Sequence, residues 1–152
     1  MRMYCECYNT PMKKEINSIA EMNQFAAGFL SKLKLGSTAT VVGLSGDLGS
    51  GKTTFMQGIA AALGIHNQIT SPTFVIIKSY TLKSSSYKLL IHIDAYRLEN
   101  GQELQTLRFQ EIISQPTNLV FIEWPERVSD ILPKHTQYVY FKFIDDTTRE
   151  IR

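Results

Sequence analysis

The sequence predicts an α/β fold in which a mixed β-sheet lies between layers of helices. A β-branched run at 38–44 is followed by a glycine-rich loop and then by a segment of helical character. Two apolar runs, at 87–94 and 119–124, carry an acidic residue at or near their ends, as expected of buried strands. The run at 74–82 is joined to the run at 87–94 only by the polar turn KSSS, which predicts an antiparallel hairpin within the sheet.

The first predicted helix, at 18–34, begins where Ser18 can cap it and Glu21, three residues later, completes a capping box. Apolar residues recur at helical spacing along it, and Gly36 is its expected end. The later elements are assigned from apolar spacing, β-branched runs and turn residues. They are a strand at 38–44, a helix at 52–63 closed by Gly64, strands at 74–82 and 87–94, a helix at 102–113, a strand at 119–124, one or two helical turns at 127–132, a strand at 137–144 and its partner at 148–152.

Length and composition favour a single globular domain spanning residues 1–152. Hydrophobic residues make up 43% of the chain and charged residues 20%, which excludes the polar bias of a disordered protein. The formal net charge is +2 and the basic residues are scattered, so the composition does not predict a nucleic-acid-binding stripe. The first residues lack the apolar core of a signal peptide, and no apolar run is long enough to span a membrane; we therefore expect a cytoplasmic protein.

The two cysteines, Cys5 and Cys7, are interpreted as reduced thiols. A zinc site would need further ligands at suitable spacing, and His66, His92 and His135 stand apart from one another in the sequence. A disulfide between residues two apart would be strained. We therefore predict neither a zinc site nor a disulfide.

The glycine-rich loop carries the most specific signal in the chain. It matches the pattern GxxxxGK followed by Ser or Thr, with Gly46, Asp47, Leu48, Gly49, Ser50, Gly51, Lys52 and Thr53 in its eight positions. Its glycines allow successive N–H groups to point at phosphate oxygens, and the dipole of the following helix favours an anion. We expect Lys52 to reach the β- and γ-phosphates, Thr53 to ligate Mg²⁺ and Thr54 to support the α-phosphate side. A strand before the loop and a helix after it argue against an ordinary glycine turn, and the fold class is refined to a P-loop NTPase-like three-layer sandwich.

A phosphate loop needs an acidic group that holds the magnesium shell. Glu123 ends the run LVFIE and Asp94 ends the run LLIHID, so either carboxylate could hold the metal, or the two could divide the metal and the attacking water between them. The segment TSPTF after the second helix is placed as a switch, in which Thr73 can sense the γ-phosphate; a plain proline turn is the alternative. Trp124, next to Glu123, could be a core residue or a reporter of the nucleotide state.

Four segments together carry a resemblance: LSGDLGSGKTT, TSPTF, HIDAYRL and FIEWPERV occur in this order. They resemble the TsaE family, formerly YjeE, of bacterial P-loop proteins required for the threonylcarbamoyl modification of tRNA adenosine 37. The resemblance covers roughly residues 18–149. The phosphate loop is shared by many families, whereas the HxDxYRL and IEWPE segments are far more restrictive.

The resemblance implies a weak ATPase that binds ATP and Mg²⁺ and acts with the TsaB and TsaD proteins, reaching tRNA only indirectly. It implies that Thr53 and Glu123 hold magnesium. Asp94 is similar to the family's second acid, which is tied to hydrolysis. The resemblance therefore implies that Asp94 and Lys52 are catalytic residues. Thr73 matches the switch threonine, and Arg149 is similar to an arginine near the nucleotide.

Residues 1–15 match nothing in the family and are expected to be loosely ordered. The contacts of the adenine ring stay unassigned, because family members form them partly from the two termini. Two other functions are the alternatives. An autonomous metabolite kinase would need a lid bearing arginine, yet Arg97, Arg108 and Arg127 follow the hairpin with no lid-length insertion. A small GTPase would need an NKxD-type guanine motif, which the sequence lacks.

Overall fold

The computed structural model describes residues 13–83 and 85–152, so the prediction made for Cys5 and Cys7 lies outside the described residues. The elements are β1 (Lys14–Ile16), α1 (Ile19–Lys32), β2 (Thr40–Ser45), α2 (Lys52–Ala62), β3 (Ile77–Thr81), β4 (Leu89–Asp94), α3 (Gly101–Gln105), α4 (Phe109–Ser114), β5 (Asn118–Glu123), a 3-10 helix (Pro125–Val128), β6 (Gln137–Phe143) and β7 (Arg149–Ile151). The mixed α/β class predicted from the sequence is confirmed.

The strands of the described chain form one sheet in the order β1-β7-β6-β2-β5-β4-β3. Its centre is parallel, because β2 pairs in parallel with both β5 and β6, and β5 pairs in parallel with β4. The predicted hairpin is confirmed as the antiparallel pair β3 and β4. The predicted strand pair at the C-terminal end is β6 and β7, also antiparallel. The parallel centre gathers the carboxyl ends of β2, β4 and β5 at one edge, where the loops after them meet.

The sheet separates two hydrophobic cores, which establishes the three layers. Alternate residues of a strand point to opposite faces. Val42 and Leu44 of β2 pack in the core beneath α1 and α2, whereas Val41 packs in the core beneath α3, α4 and the 3-10 helix. At the crossing of α1 and α2, a Cβ on Gly58 would lie 2.8 Å from the Cβ of Ala26, so glycine permits the close approach of the two helices.

A cluster of aromatic rings fills the core beneath α1 and α2. Phe55 of α2 is fully buried at its centre. Its ring centroid lies 5.4–6.2 Å from the centroids of Phe25, Phe29, Phe121 and Phe141, mostly in edge-to-face arrangements. Phe55 follows the phosphate loop by two residues, so this packing fixes the start of α2 and the loop before it.

The single helix predicted at 102–113 is wrong, because the structure has two short helices separated by Arg108 in a left-handed conformation (φ 64°). Leu104 and Phe109 are both fully buried in the same core. Residues five apart on a continuous helix point about 140° away from each other. The break at Arg108 turns Phe109 back towards the core that Leu104 already faces.

Other boundaries also differ from the prediction. The strand predicted at 74–82 begins only at Ile77, because residues 73–75 form a turn, and the strand predicted at 87–94 begins at Leu89. Helix α1 keeps the predicted cap, since Ser18 Oγ accepts from Glu21 N–H at 3.1 Å, but its last residue is Lys32, two residues before the predicted end at 34. The helical turn predicted at 127–132 is a 3-10 helix at Pro125–Val128. Strand β1, which had no sequence signal, includes residues 14 and 15 that were expected to be loosely ordered; it pairs with β7 and buries Ile16.

Candidate functional site

The loop between β2 and α2 requires glycine at the positions where its backbone turns. Gly46, Gly49 and Gly51 have φ of 153°, 76° and 106°, a region that side chains disfavour. A Cβ on Gly46 would also lie 2.5 Å from the carbonyl oxygen of Phe141 and 2.7 Å from Ser50 Oγ. The loop therefore wraps tightly over the end of the sheet and delivers the chain to the N-terminus of α2, where free N–H groups favour an anion.

The Lys52 side chain is folded onto this loop. Its ammonium group donates to the carbonyl oxygens of Gly46 and Asp47, the latter at 3.0 Å. The same group lies 4.6 Å from the centroid of the Trp124 ring. Burial lowers the pKa of Lys52 below its ordinary value, and nearby carboxylates, Glu123 first among them, oppose that shift. A buried cation is thus held at the loop by neutral oxygens and an aromatic face.

Two buried carboxylates end neighbouring strands beside the loop. Asp94 of β4 is paired in register with Glu123 of β5, and each is only 4% exposed. Oδ2 of Asp94 accepts from the Ser71 hydroxyl at 2.9 Å and from the Thr73 hydroxyl at 2.6 Å. Oδ1 accepts from the Tyr96 backbone N–H at 2.9 Å. The proposed switch segment is therefore bonded directly to the acid that ends β4.

Glu123 has a different partner. Its Oε1 lies 2.8 Å from Nε2 of His92, and both side chains are buried. The other ring nitrogen of His92 has no hydrogen-bond partner within the described part of the chain. In the sequence His92 was one of three isolated histidines. Two signals could have indicated that it reaches this site. It is the first residue of the HxDxYRL segment, and its two-residue spacing from Asp94 along β4 puts both side chains on one face.

Trp124 follows Glu123 in a left-handed conformation (φ 57°), and its backbone N–H donates to Leu44 O at 3.2 Å. The centroid of its ring lies 4.6 Å from the Lys52 ammonium and 5.1 Å from the centroid of the Tyr96 ring. The sequence left open whether Trp124 is a core residue or a reporter of the nucleotide state. In the structure it is half-buried and lines the cavity. Strain of this kind in a non-glycine residue clusters at functional sites.

These groups border one cavity of about 570 Å³, within the range of small-molecule sites. The predicted site residues that line it are Leu48, Gly49, Gly51, Lys52, Thr53, Thr54, Thr73, Asp94, Glu123 and Arg149. Gly46, Asp47 and Ser50 belong to the loop but do not line the cavity. Ser50 is buried, and its hydroxyl has no hydrogen-bond partner among the residues described here.

The far end of the cavity was missed in the sequence. It is built by the β1–α1 junction and by the turn between β6 and β7, which contribute Ile16, Asn17, Ser18, Ile19, Met22, Asp146 and Thr147. None of these residues belongs to a phosphate-binding motif. The resemblance pointed to this region only through Arg149 and through the two termini, from which family members partly form the adenine contacts. Ile19 and Leu48 are 70% and 74% exposed, so the cavity offers apolar surface to a flat ring.

Arg149 joins β7 to the phosphate loop. Its Nε donates to Gly49 O at 3.1 Å, and its guanidinium group lies 4.6 Å from the centroid of Phe143. Among the described residues it is the one arginine that lines the cavity. The two cations of the cavity, Lys52 and Arg149, therefore both contact the phosphate loop, and the two acids lie at the ends of β4 and β5.

Comparison with known proteins gives one consistent answer. The family model described as "Threonylcarbamoyl adenosine biosynthesis protein TsaE" matches residues 16–151. A Treponema pallidum protein named tRNA threonylcarbamoyladenosine biosynthesis protein TsaE is 38% identical over 112 residues, which cover 74% of this chain and 79% of that protein. A Borreliella burgdorferi protein of the same name is 36% identical over 120 residues, covering 79% and 82%.

A solved structure agrees with the sequence comparisons. The crystal structure of Bacillus subtilis YdiB superposes with a TM-score of 0.72 at 29% identity, covering 92% of this chain and 82% of that one.

None of the helices within residues 13–83 and 85–152 has the length and the apolar character that a membrane span requires.

Proposed function

The chain belongs to the TsaE family, and we propose that it is a weak ATPase that serves the threonylcarbamoyl modification of tRNA. Family membership and the names of the relatives support the tRNA pathway. The observation that supports nucleotide binding is the cavity itself, which is lined by a glycine loop, a buried lysine and two buried carboxylates. We further propose that the phosphates lie on the loop and displace the Lys52 ammonium from Gly46 and Asp47.

Mg²⁺ fits the donors available at this end of the cavity. The Thr53 hydroxyl and the carboxylates of Glu123 and Asp94 are hard oxygen ligands of the class that Mg²⁺ prefers. The described residues contain no group of three His, Cys, Asp or Glu side chains that would bind a metal alone, so phosphate oxygens would complete the shell. We propose Thr53 and Glu123 as the protein ligands, and the ion would neutralise charge on the β- and γ-phosphates.

The hydrogen bonds made by Asp94 and Glu123 suggest different roles for the two acids. Asp94 already accepts from two hydroxyls and one N–H, so both of its oxygens are engaged by the protein. Glu123 accepts from His92 at one oxygen, and no bond from the described residues engages the other. We therefore propose that Glu123 faces the metal, and that Asp94, with Thr73 bonded to it, orients the attacking water and senses the γ-phosphate.

At the other end of the cavity we propose the site of the base. Ile19, Met22 and Leu48 offer apolar surface for a purine ring, and Arg149 contacts the phosphate loop at Gly49 O. The adenine identity rests on the family resemblance. Arg149 contacts Gly49 of the loop, and no other arginine of the described chain lines the cavity. This supports slow turnover alone and activation by partner proteins, for which TsaB and TsaD are our candidates.

The test is phosphate release from ATP and Mg²⁺ by the purified protein, measured alone and with TsaB and TsaD. We expect a low rate alone and a clear rise in the complex, with Lys52→Met as the inactive control. Equal rates in both conditions would contradict the assembly-dependent ATPase. Transfer of phosphate to a small-molecule acceptor would instead support the metabolite kinase considered from the sequence.

A further inference from the structure

We propose that the outer side of the switch segment is a docking surface for a partner protein that presents apolar side chains together with carboxylates. The surface is formed by Phe74, Val75, Tyr96, Arg97 and Arg127, and we name it the Phe74 surface. The effect of docking there on nucleotide turnover rests on the proposed function.

The apolar part of this surface is unusually exposed. Phe74 and Val75 are adjacent, and they are 85% and 58% exposed, while Tyr96 is 40% exposed. Phe74 has the highest exposure of the large hydrophobic side chains in the described residues. Single exposed apolar residues are common, but a contiguous exposed group beside a ligand site marks an interaction surface.

The conformation of the segment holds these side chains outward. On the inner side, the Thr73 hydroxyl donates to Asp94 at 2.6 Å, and the Asp94 backbone N–H donates to Ile76 O at 2.9 Å. Ile76 has φ 66°, a left-handed conformation that β-branched residues rarely adopt. The bonds to Asp94 therefore anchor both ends of the exposed pair in a strained turn, and strain of this kind is common in switch regions.

The two arginines of the surface indicate which charged groups the partner presents. The guanidinium of Arg97 lies 4.4 Å from the centroid of the Phe74 ring, and that of Arg127 lies 5.9 Å from the centroid of Tyr96. The ion pairs found among the described residues involve neither arginine. Arginine and aromatic side chains are enriched at the centres of protein interfaces, where the guanidinium pairs with carboxylates.

A protein fits this surface better than a nucleic acid does. The surface has two positive side chains beside an apolar pair, and Glu126, next to Arg127 in the chain, adds a negative charge. Nucleic-acid binding normally depends on several phosphate contacts from basic side chains. An apolar centre flanked by arginines instead matches the anatomy of a protein–protein interface.

The surface is coupled to the site through one residue. Thr73 precedes Phe74 and is bonded to Asp94, the acid that we assign to the attacking water. A partner that repositions Phe74 must also move Thr73 relative to Asp94. Docking would therefore alter the γ-phosphate end of the cavity without contacting the nucleotide.

The test measures the affinity of the full chain for TsaB and TsaD, which are the probes, by biolayer interferometry. The variants are Phe74→Ser and Arg97→Glu. Their matched controls, Leu35→Ser and Lys34→Glu, change an exposed apolar and an exposed basic residue in the loop before β2, at the opposite end of that strand from the cavity. We expect both Phe74 surface variants to bind at least tenfold more weakly, while both controls bind within twofold of the wild type.

Parallel titrations with ATP and Mg²⁺ separate this proposal from the proposed function. Both surface variants should keep wild-type ATP affinity and thermal stability, because Phe74 and Arg97 are exposed and do not line the cavity. Normal partner binding by Phe74→Ser and Arg97→Glu would overturn the docking surface and leave the nucleotide function intact. So would failure of the wild type to bind either probe. Binding of a labelled single-stranded RNA is measured as well. If the wild type binds this RNA and Arg97→Glu does not, the surface is assigned to nucleic acid instead.

Discussion

Replacing Lys52 by Met is the sharpest perturbation of the proposed site. Met keeps most of the apolar stem of the side chain and removes only the ammonium group. In the structure that group makes two hydrogen bonds to loop carbonyl oxygens and lies on the Trp124 ring. Under the proposal it exchanges these contacts for phosphate oxygens when ATP binds, so the variant lacks the loop contacts of the free protein and the phosphate contacts of the complex.

The size of the effect follows from that exchange. A hydrogen bond to a charged group contributes about 1.5–3 kcal/mol, and two such bonds to phosphate would contribute about 3–6 kcal/mol. The two loop bonds that Lys52 gives up offset part of this gain, which places the net loss near the lower bound, about 3 kcal/mol. Since about 1.4 kcal/mol corresponds to a tenfold change in affinity, we expect ATP binding to weaken on the order of a hundredfold.

The assay is isothermal titration calorimetry with ATP and Mg²⁺. The control is Lys142→Met, which removes an exposed ammonium group from β6 and should change the affinity by less than twofold. Circular dichroism of both variants establishes that they fold. A folded Lys52→Met protein with wild-type ATP affinity would refute the assignment of the loop to phosphate binding.

Three further outcomes are expected. Phe55→Ala should lower the free energy of unfolding in urea by about 3–5 kcal/mol, whereas Phe74→Ala should change it little; similar losses would contradict the aromatic core described above. The emission of Trp124, the one tryptophan in the chain, should change when ATP and Mg²⁺ draw Lys52 from its ring, and a constant spectrum at saturation would argue against that movement. Glu123→Gln should weaken the Mg²⁺ dependence of ATP binding more than the affinity itself, and Asp94→Asn should chiefly slow hydrolysis; the opposite pattern would show that the two acids are reversed.

The parts of the fold that the sequence predicted are those with local signals. The phosphate loop, the start of α2 and the hairpin of β3 and β4 each depend on turn residues and apolar runs within a short window. The break at Arg108 has no such signal, because it arises from the need of Leu104 and Phe109 to reach one core. Strand β1 likewise exists through its pairing with β7, more than 130 residues away along the chain.

The same distinction applies to the candidate site. The glycine loop and the two strand-end acids could be expected at one cavity because each is recognisable alone in the sequence. Its other end could not, since Ile19 and Thr147 acquire a shared role only when β1, α1 and β7 assemble around the loop. His92 was missed for a similar reason. Its partner Glu123 is on the adjacent strand, and the contact depends on the register of β4 and β5.

The charges of the cavity bear on how nucleotide and metal would bind together. Two carboxylates, Asp94 and Glu123, are buried side by side, and their negative charges face the position proposed for the phosphates. Lys52 and Arg149 balance them before any ligand arrives. A triphosphate adds several negative charges in a site of reduced dielectric, where repulsion from the carboxylates is strong. A divalent cation coordinated between Glu123 and the phosphates would remove that repulsion, so under the proposed function ATP and Mg²⁺ bind as one unit.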